Sequence, residues 1–140
     1  VKAAQILEAL VEDAPALDEF TRAYIECALW SSNDESTPQG GEPMDANYSI
    51  DDIAPEALAG MAEDCRKFQE QFGVPAYNRG DYTDEEMAGH DFWLTRNGHG
   101  AGFWDRSELD EATRKKYTDA AHGFGECNLY VGDDGKIYCS

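Results

Sequence analysis

The sequence predicts an α+β fold in which N-terminal helices pack on an antiparallel sheet of about four strands, and three observations lead there. Apolar residues recur at helical spacing through residues 17–30 and 55–72. An Asn-Gly pair, Asn97-Gly98, lies midway between two Phe-Trp pairs in HDFWLTRNGHGAGFWDR at residues 90–106, where the turn of a hairpin is expected. A second alternating segment closes the chain at residues 127–139, with a helical pattern between the two hairpins. At 140 residues the chain fits a single domain, residues 1–140.

Taken in order, Ile6, Leu7, Leu10 and Val11 mark a short N-terminal helix, and a connector with the run Glu-Asp-Ala-Pro completes residues 1–16. From Leu17 to Trp30 the stripe Leu17, Phe20, Tyr24, Cys27 and Ala28 faces a core, with Asp18, Glu19, Arg22 and Glu26 opposite. Residues 31–54 have the Ser, Asn, Asp, Gly and Pro content of a long polar loop. Pro55 suits the first turn of a helix whose buried stripe is Leu58, Met61, Cys65, Phe68 and Phe72. Thr83 and Glu86 form a capping-box pattern for a short helix before the first hairpin. Ser107 and Asp110 suggest the same device for a helix carrying Leu109, Thr113, Tyr117, Ala120 and Phe124 on its inner face, ended by Gly123 and Gly125.

Both hairpins have an arguable register. In 90–106, whether the loop is Asn97-Gly98 alone or runs to Gly100, residue parity puts Phe92, Leu94 and Phe103 on one face and Trp93 and Trp104 on the other, and the four-residue loop sets Trp93 opposite Trp104 and Asp91 opposite Arg106. In 127–139, a three-residue loop Asp133-Asp134-Gly135 sets Val131 opposite Ile137, Leu129 opposite Cys139 and Tyr130 opposite Tyr138.

Charge is the strongest compositional signal. The chain has 29 Asp and Glu against 11 Lys and Arg, a formal net charge of -18. Such a surface repels nucleic acid, whose protein affinity rests on cationic contacts to phosphate, and it repels anionic membranes. A basic protein is the partner class it favours. Cys27, Cys65, Cys127 and Cys139 make no CxxC pair, and neither a leader pattern nor a long apolar run is present. A cytoplasmic protein with reduced thiols and no cofactor is the expectation.

Three constellations carry possible chemistry. Carboxylates at Glu56, Glu63 and Glu70, seven residues apart, fall roughly along one helix line at about 10 Å intervals. Together with Glu19 and Glu26 they can imitate a row of phosphates and occupy a cationic groove, and the Trp93 and Trp104 face adds an apolar contact. An enzyme reading instead takes His90, Asp91, Arg96 and His99, since His with Asp makes a general base and Arg holds an anion. No nucleophile elbow, HExxH or phosphate-binding loop supports it. A weak calcium-loop match places Asp45, Asn47, Ser49, Asp51 and Glu56 at ligand positions, but Ile50 stands where the loop needs glycine. The sequence therefore favours no metal.

At HDFWLTRNGHGAGFWDR, FGECNLYVGDDGKIY, FTRAYIECALWSSNDES and PMDANYSIDDI the sequence resembles a group of small acidic proteins encoded by bacteriophages and prophages, over residues 17–140. It departs from that pattern where Ser107, rather than glycine, follows Arg106. The resemblance implies no catalytic residues. What it implies is a setting, the cytoplasm of a bacterial host, where small acidic phage proteins counter defences such as restriction enzymes and CRISPR complexes.

Overall fold

The computed structural model describes residues 17–36 and 40–140 and has an α+β architecture. Four α-helices run among the described residues: α1 (Glu19–Ser31), α2 (Pro55–Phe72), α3 (Asp84–Arg96) and α4 (Glu111–His122). Two small antiparallel sheets accompany them, β1 (Asn33–Asp34) with β2 (Glu42–Pro43), and β3 (Leu129–Val131) with β4 (Ile137–Cys139). The N-terminal helix expected within residues 1–16 lies outside the described residues.

The helices begin where their caps stand. Asp18 accepts from the Thr21 amide at 2.8 Å, Pro55 occupies the first turn of α2, and Thr83 and Glu86 complete a capping box on α3. On α4 the cap is Asp110, which accepts from Thr113 N, rather than Ser107. The expected stripe of α2 holds, with Met61, Cys65 and Phe68 buried and Leu58 and Phe72 partly so.

The expected hairpin at residues 90–106 is not formed. The capping box at Thr83 starts a helix that runs through His90 to Arg96. Asn97-Gly98 then ends that helix instead of turning a hairpin. Gly98 has φ 68°, its N–H donates to Thr95 O at 3.2 Å, and His99 N–H donates to Leu94 O at 3.0 Å. These two bonds are the 5→2 and 6→1 pair of a Schellman cap. A type I′ turn and this cap both demand a left-handed glycine, so the dipeptide is compatible with either. The chain returns as an irregular segment and a 3-10 turn at Phe103–Asp105.

The four-stranded sheet is accordingly replaced by two separate pairs. The C-terminal hairpin keeps its predicted register, Val131 with Ile137, Tyr130 with Tyr138 and Leu129 with Cys139. Gly135 takes φ 80° in the three-residue loop, as the register requires. Cys127 and Cys139, between which the sequence shows no pairing motif, come side by side at the open end of this hairpin with Cα atoms 5.8 Å apart, a spacing that a disulfide can bridge. Cys27 and Cys65 are free and buried.

The polar stretch at residues 31–54 is tied down along its described part. Met44 N–H donates to Ser32 O at 2.9 Å, the Met44 side chain is buried, and Ala54 N–H donates to Ile137 O at 2.8 Å. At the centre of the fold α3 crosses α1, with Phe92 ringed by Phe20, Tyr24, Phe68 and Phe124. A Cβ on Gly89 would fall far inside contact with the Phe20 carbonyl oxygen, so only glycine permits this approach. Among the described residues, no helix is long and apolar enough to cross a membrane.

Candidate functional site

The charged residues of HDFWLTRNGHGAGFWDR are mostly consumed by folding. Asp91, fully buried, accepts from Tyr77 Oη at 2.8 Å and from Arg106 Nε and Nη2 at 2.9 and 2.6 Å. Burial and then the neighbouring carboxylate push the Tyr77 phenol far above its ordinary value, so it acts here as a donor. Arg106 is held above its ordinary value chiefly by its bonds to Asp91.

Arg96 is a second internal strut. Its guanidinium donates to Gly125 O at 2.8 Å, Phe124 O at 3.1 Å, and Tyr24 Oη and Asp64 Oδ2 at 2.9 Å each. It also lies over the Phe92 and Phe124 rings, 5.5 and 5.8 Å from their centroids. Burial opposes its charge, but Tyr24 and Asp64 outweigh that and hold its pKa up.

These contacts disperse the proposed His90, Asp91, Arg96 and His99 centre. Asp91 and Arg96 are spent on partners in different regions of the core, His90 faces the outer side of α1, and His99 lies in the cap beyond α3. The four side chains therefore do not form a single centre. Buried Cys27 is no nucleophile either: burial, then Asp91, pushes its thiol up to about 12.

The calcium-loop residues fold as ordinary turns. Asp45 lies in a 3-10 turn, Asn47 donates to Glu42 at 2.9 Å, Ser49 caps the turn containing Asp51, and Glu56 belongs to the first turn of α2. Among the described residues, no group of three His, Cys, Asp or Glu side chains is placed to hold a metal. The Trp face is also corrected. Trp93 is a core residue whose Nε1 donates to Ser31 Oγ at 2.8 Å, whereas Trp104 is 48% exposed. A helix sends adjacent side chains about 100° apart, so strand parity does not apply.

Of the acidic positions, Glu56, Glu63 and Glu70 do occupy one helix, but Arg66 binds both Glu63 and Glu70 and interrupts the row. Glu19 accepts from Thr83 Oγ1 at 2.7 Å, and Glu26 is exposed on α1.

Glu26 borders a feature the sequence reading missed. An open groove of about 470 Å³ lies between the outer face of α1 and the segment 45–50. Ile25, Leu29, Ile50 and Trp30 supply its apolar lining, His90 contributes from α3, and Glu26 and Asp45 contribute carboxylates. Trp30 is 60% exposed, with its ring centroid 6.5 Å from that of His90. Burial holds the imidazole below its ordinary value, against the pull of Asp91 and Glu26. A signal was available: Trp30 follows Glu26 by four residues and so lies on the charged face of the helix.

No protein-family model, curated protein or solved structure matches the chain.

Proposed function

We propose that the chain is a non-enzymatic, phage-type protein that binds a basic host protein in the bacterial cytoplasm and inhibits a defence system, of the anti-restriction or anti-CRISPR kind. The observation that carries this reading is the division of charge. The motif's Asp91, Arg96 and Arg106 are spent inside the fold, and Arg66, Arg79 and Lys115 hold carboxylates at the surface, within a chain of net charge -18. What remains for a partner is a carboxylate excess, which draws a cationic surface by long-range attraction and competes with phosphate for it. The mimic form of the reading rests on Glu19, Glu26 and Glu56 more than on Glu63 and Glu70, which Arg66 neutralises in part.

The test is a pull-down from bacterial lysate at low and moderate salt, with duplex DNA as competitor. A nucleic-acid-binding nuclease or CRISPR component retained at low salt, and released by salt and by DNA, supports the proposal. Absence of any salt-sensitive basic partner overturns it. A partner that does not bind nucleic acid reduces the protein to a plain acidic interaction domain.

A further inference from the structure

We infer that the groove beside Trp30 and His90 is the docking site for a basic protein segment anchored by one apolar side chain. This rests on the reading of the chain as a binder of basic protein and names where, and through what chemistry, it binds. Three features of the groove converge. Ile25 and Leu29 underlie it as buried core residues, and the half-buried Ile50 with Trp30 supplies accessible apolar surface against which an aliphatic side chain gains by leaving water. Trp30, largely exposed, offers a ring face to a guanidinium or ammonium group, an attraction of about 0.5–1 kcal/mol at exposed sites and more when water is excluded. Glu26 and Asp45 give the same groove two carboxylates. Arg22 also lines it and already has an interaction of its own.

The charge of this lining selects among occupants. An acidic segment meets Glu26 and Asp45 with like charge, and a purely apolar one leaves both carboxylates to be desolvated without compensation. A segment in which arginines flank a leucine satisfies the apolar lining, the indole and the carboxylates together. The site is thus an anchor pocket within a wider acidic field, and the field sets the association rate while the pocket sets the residence time.

The experiment titrates the full chain with a fluorescent peptide of one leucine between paired arginines, and with controls in which the leucine is arginine or the arginines are glutamates. Binding is read by anisotropy, and the site by the NMR shifts of the Trp30 indole and the His90 ring. Saturable binding of the leucine peptide, shifts at Trp30 and His90, and a loss of about tenfold or more in Trp30→Ala and in the Glu26→Gln, Asp45→Asn double variant support the inference. Trp30→Ala removes an exposed side chain, and its melting curve verifies that the variant folds. Equal binding of the all-arginine control, preference for the glutamate peptide, or unchanged binding by Trp30→Ala overturns it. So does concentration-dependent dimerisation that Trp30→Ala abolishes, because the occupant is then a second copy of the chain. If Trp30→Ala still captures a salt-sensitive basic partner from lysate with wild-type efficiency, the groove falls and the proposed function stands; if no basic probe or partner binds at all, both fall.

Discussion

Arg106 grips Asp91 through both carboxylate oxygens, with Nε 2.9 Å from Oδ2 and Nη2 2.6 Å from Oδ1, and so ties the chain segment after the Schellman cap back onto α3. Asp91 is fully buried and Arg106 largely so, which makes removal of one partner far worse than removal of both. Arg106→Met alone is expected to cost about 3–5 kcal/mol, the range for a buried pair broken on one side. The double change Asp91→Leu, Arg106→Met should cost clearly less than the two single changes added. Urea unfolding of the four proteins measures this, and strict additivity would show the pair to be uncoupled.

Two helical glycines should respond oppositely to the same substitution. Gly89→Ala forces a methyl group against the Phe20 carbonyl where α1 and α3 cross, and only a separation of the helices relieves it. A loss of about 1–3 kcal/mol is expected, as for overpacking elsewhere. Gly60, exposed on α2, has nothing within 4 Å of its added methyl, so Gly60→Ala should stabilise by about 0.5–1 kcal/mol through helix propensity alone. Thermal melts of the two variants should move apart in sign.

The contrast between α2 and α3 explains what the sequence discloses. α2 has solvent on one side, so its apolar residues fall on a stripe and its boundaries can be read from Pro55 and Gly73. α3 is enclosed, with Met87 to Gly89 and Asp91 to Arg96 all buried, and a helix buried all round has no polar face to reveal its period. An aromatic run around Asn-Gly then imitates a hairpin. The pairing of Asp91 with Arg106 was legible although the strands assigned to them were not, because opposite charges flanking a reversal of the chain meet by either route. The C-terminal register was legible in full, since Gly135 and alternation fix it locally. The groove was not, because it depends on how residues 45–50 pack against α1, a long-range relation with no local pattern.

Arg96 is expected to resist replacement by lysine. The guanidinium satisfies Gly125 O, Phe124 O, Tyr24 Oη and Asp64 at once and lies flat over two rings, whereas an ammonium has fewer donors and no plane. Arg96→Lys should leave at least one buried acceptor unpaired and cost about 1–3 kcal/mol. Hydrogen exchange should quicken first at the Gly123–Gly125 end of α4, which the guanidinium fastens to α3. Uniform loss of protection across the fold would show instead that the strut stabilises the whole core.

His90 links stability to the groove. Burial favours the neutral ring, while Asp91 and Glu26 favour the charged one and Arg106 opposes it, and the balance sets the folded pKa below the ordinary 6.5. The unfolded chain therefore takes up a proton near 6.5 and the folded chain only at lower pH. Between those two values the unfolded state binds more protons, so this contribution to stability is fully present above about 6.5 and is lost as pH falls through the window. His90→Gln should flatten that part of the stability profile in chemical denaturation between about pH 5 and 8, and the ring resonance of His90 should titrate below 6.5. Protonation also places a positive charge beside Trp30, so the arginine–leucine peptide should bind more weakly at the acid end in the wild type than in His90→Gln. Parallel pH dependence in the two proteins would show that the imidazole plays no part in the effect.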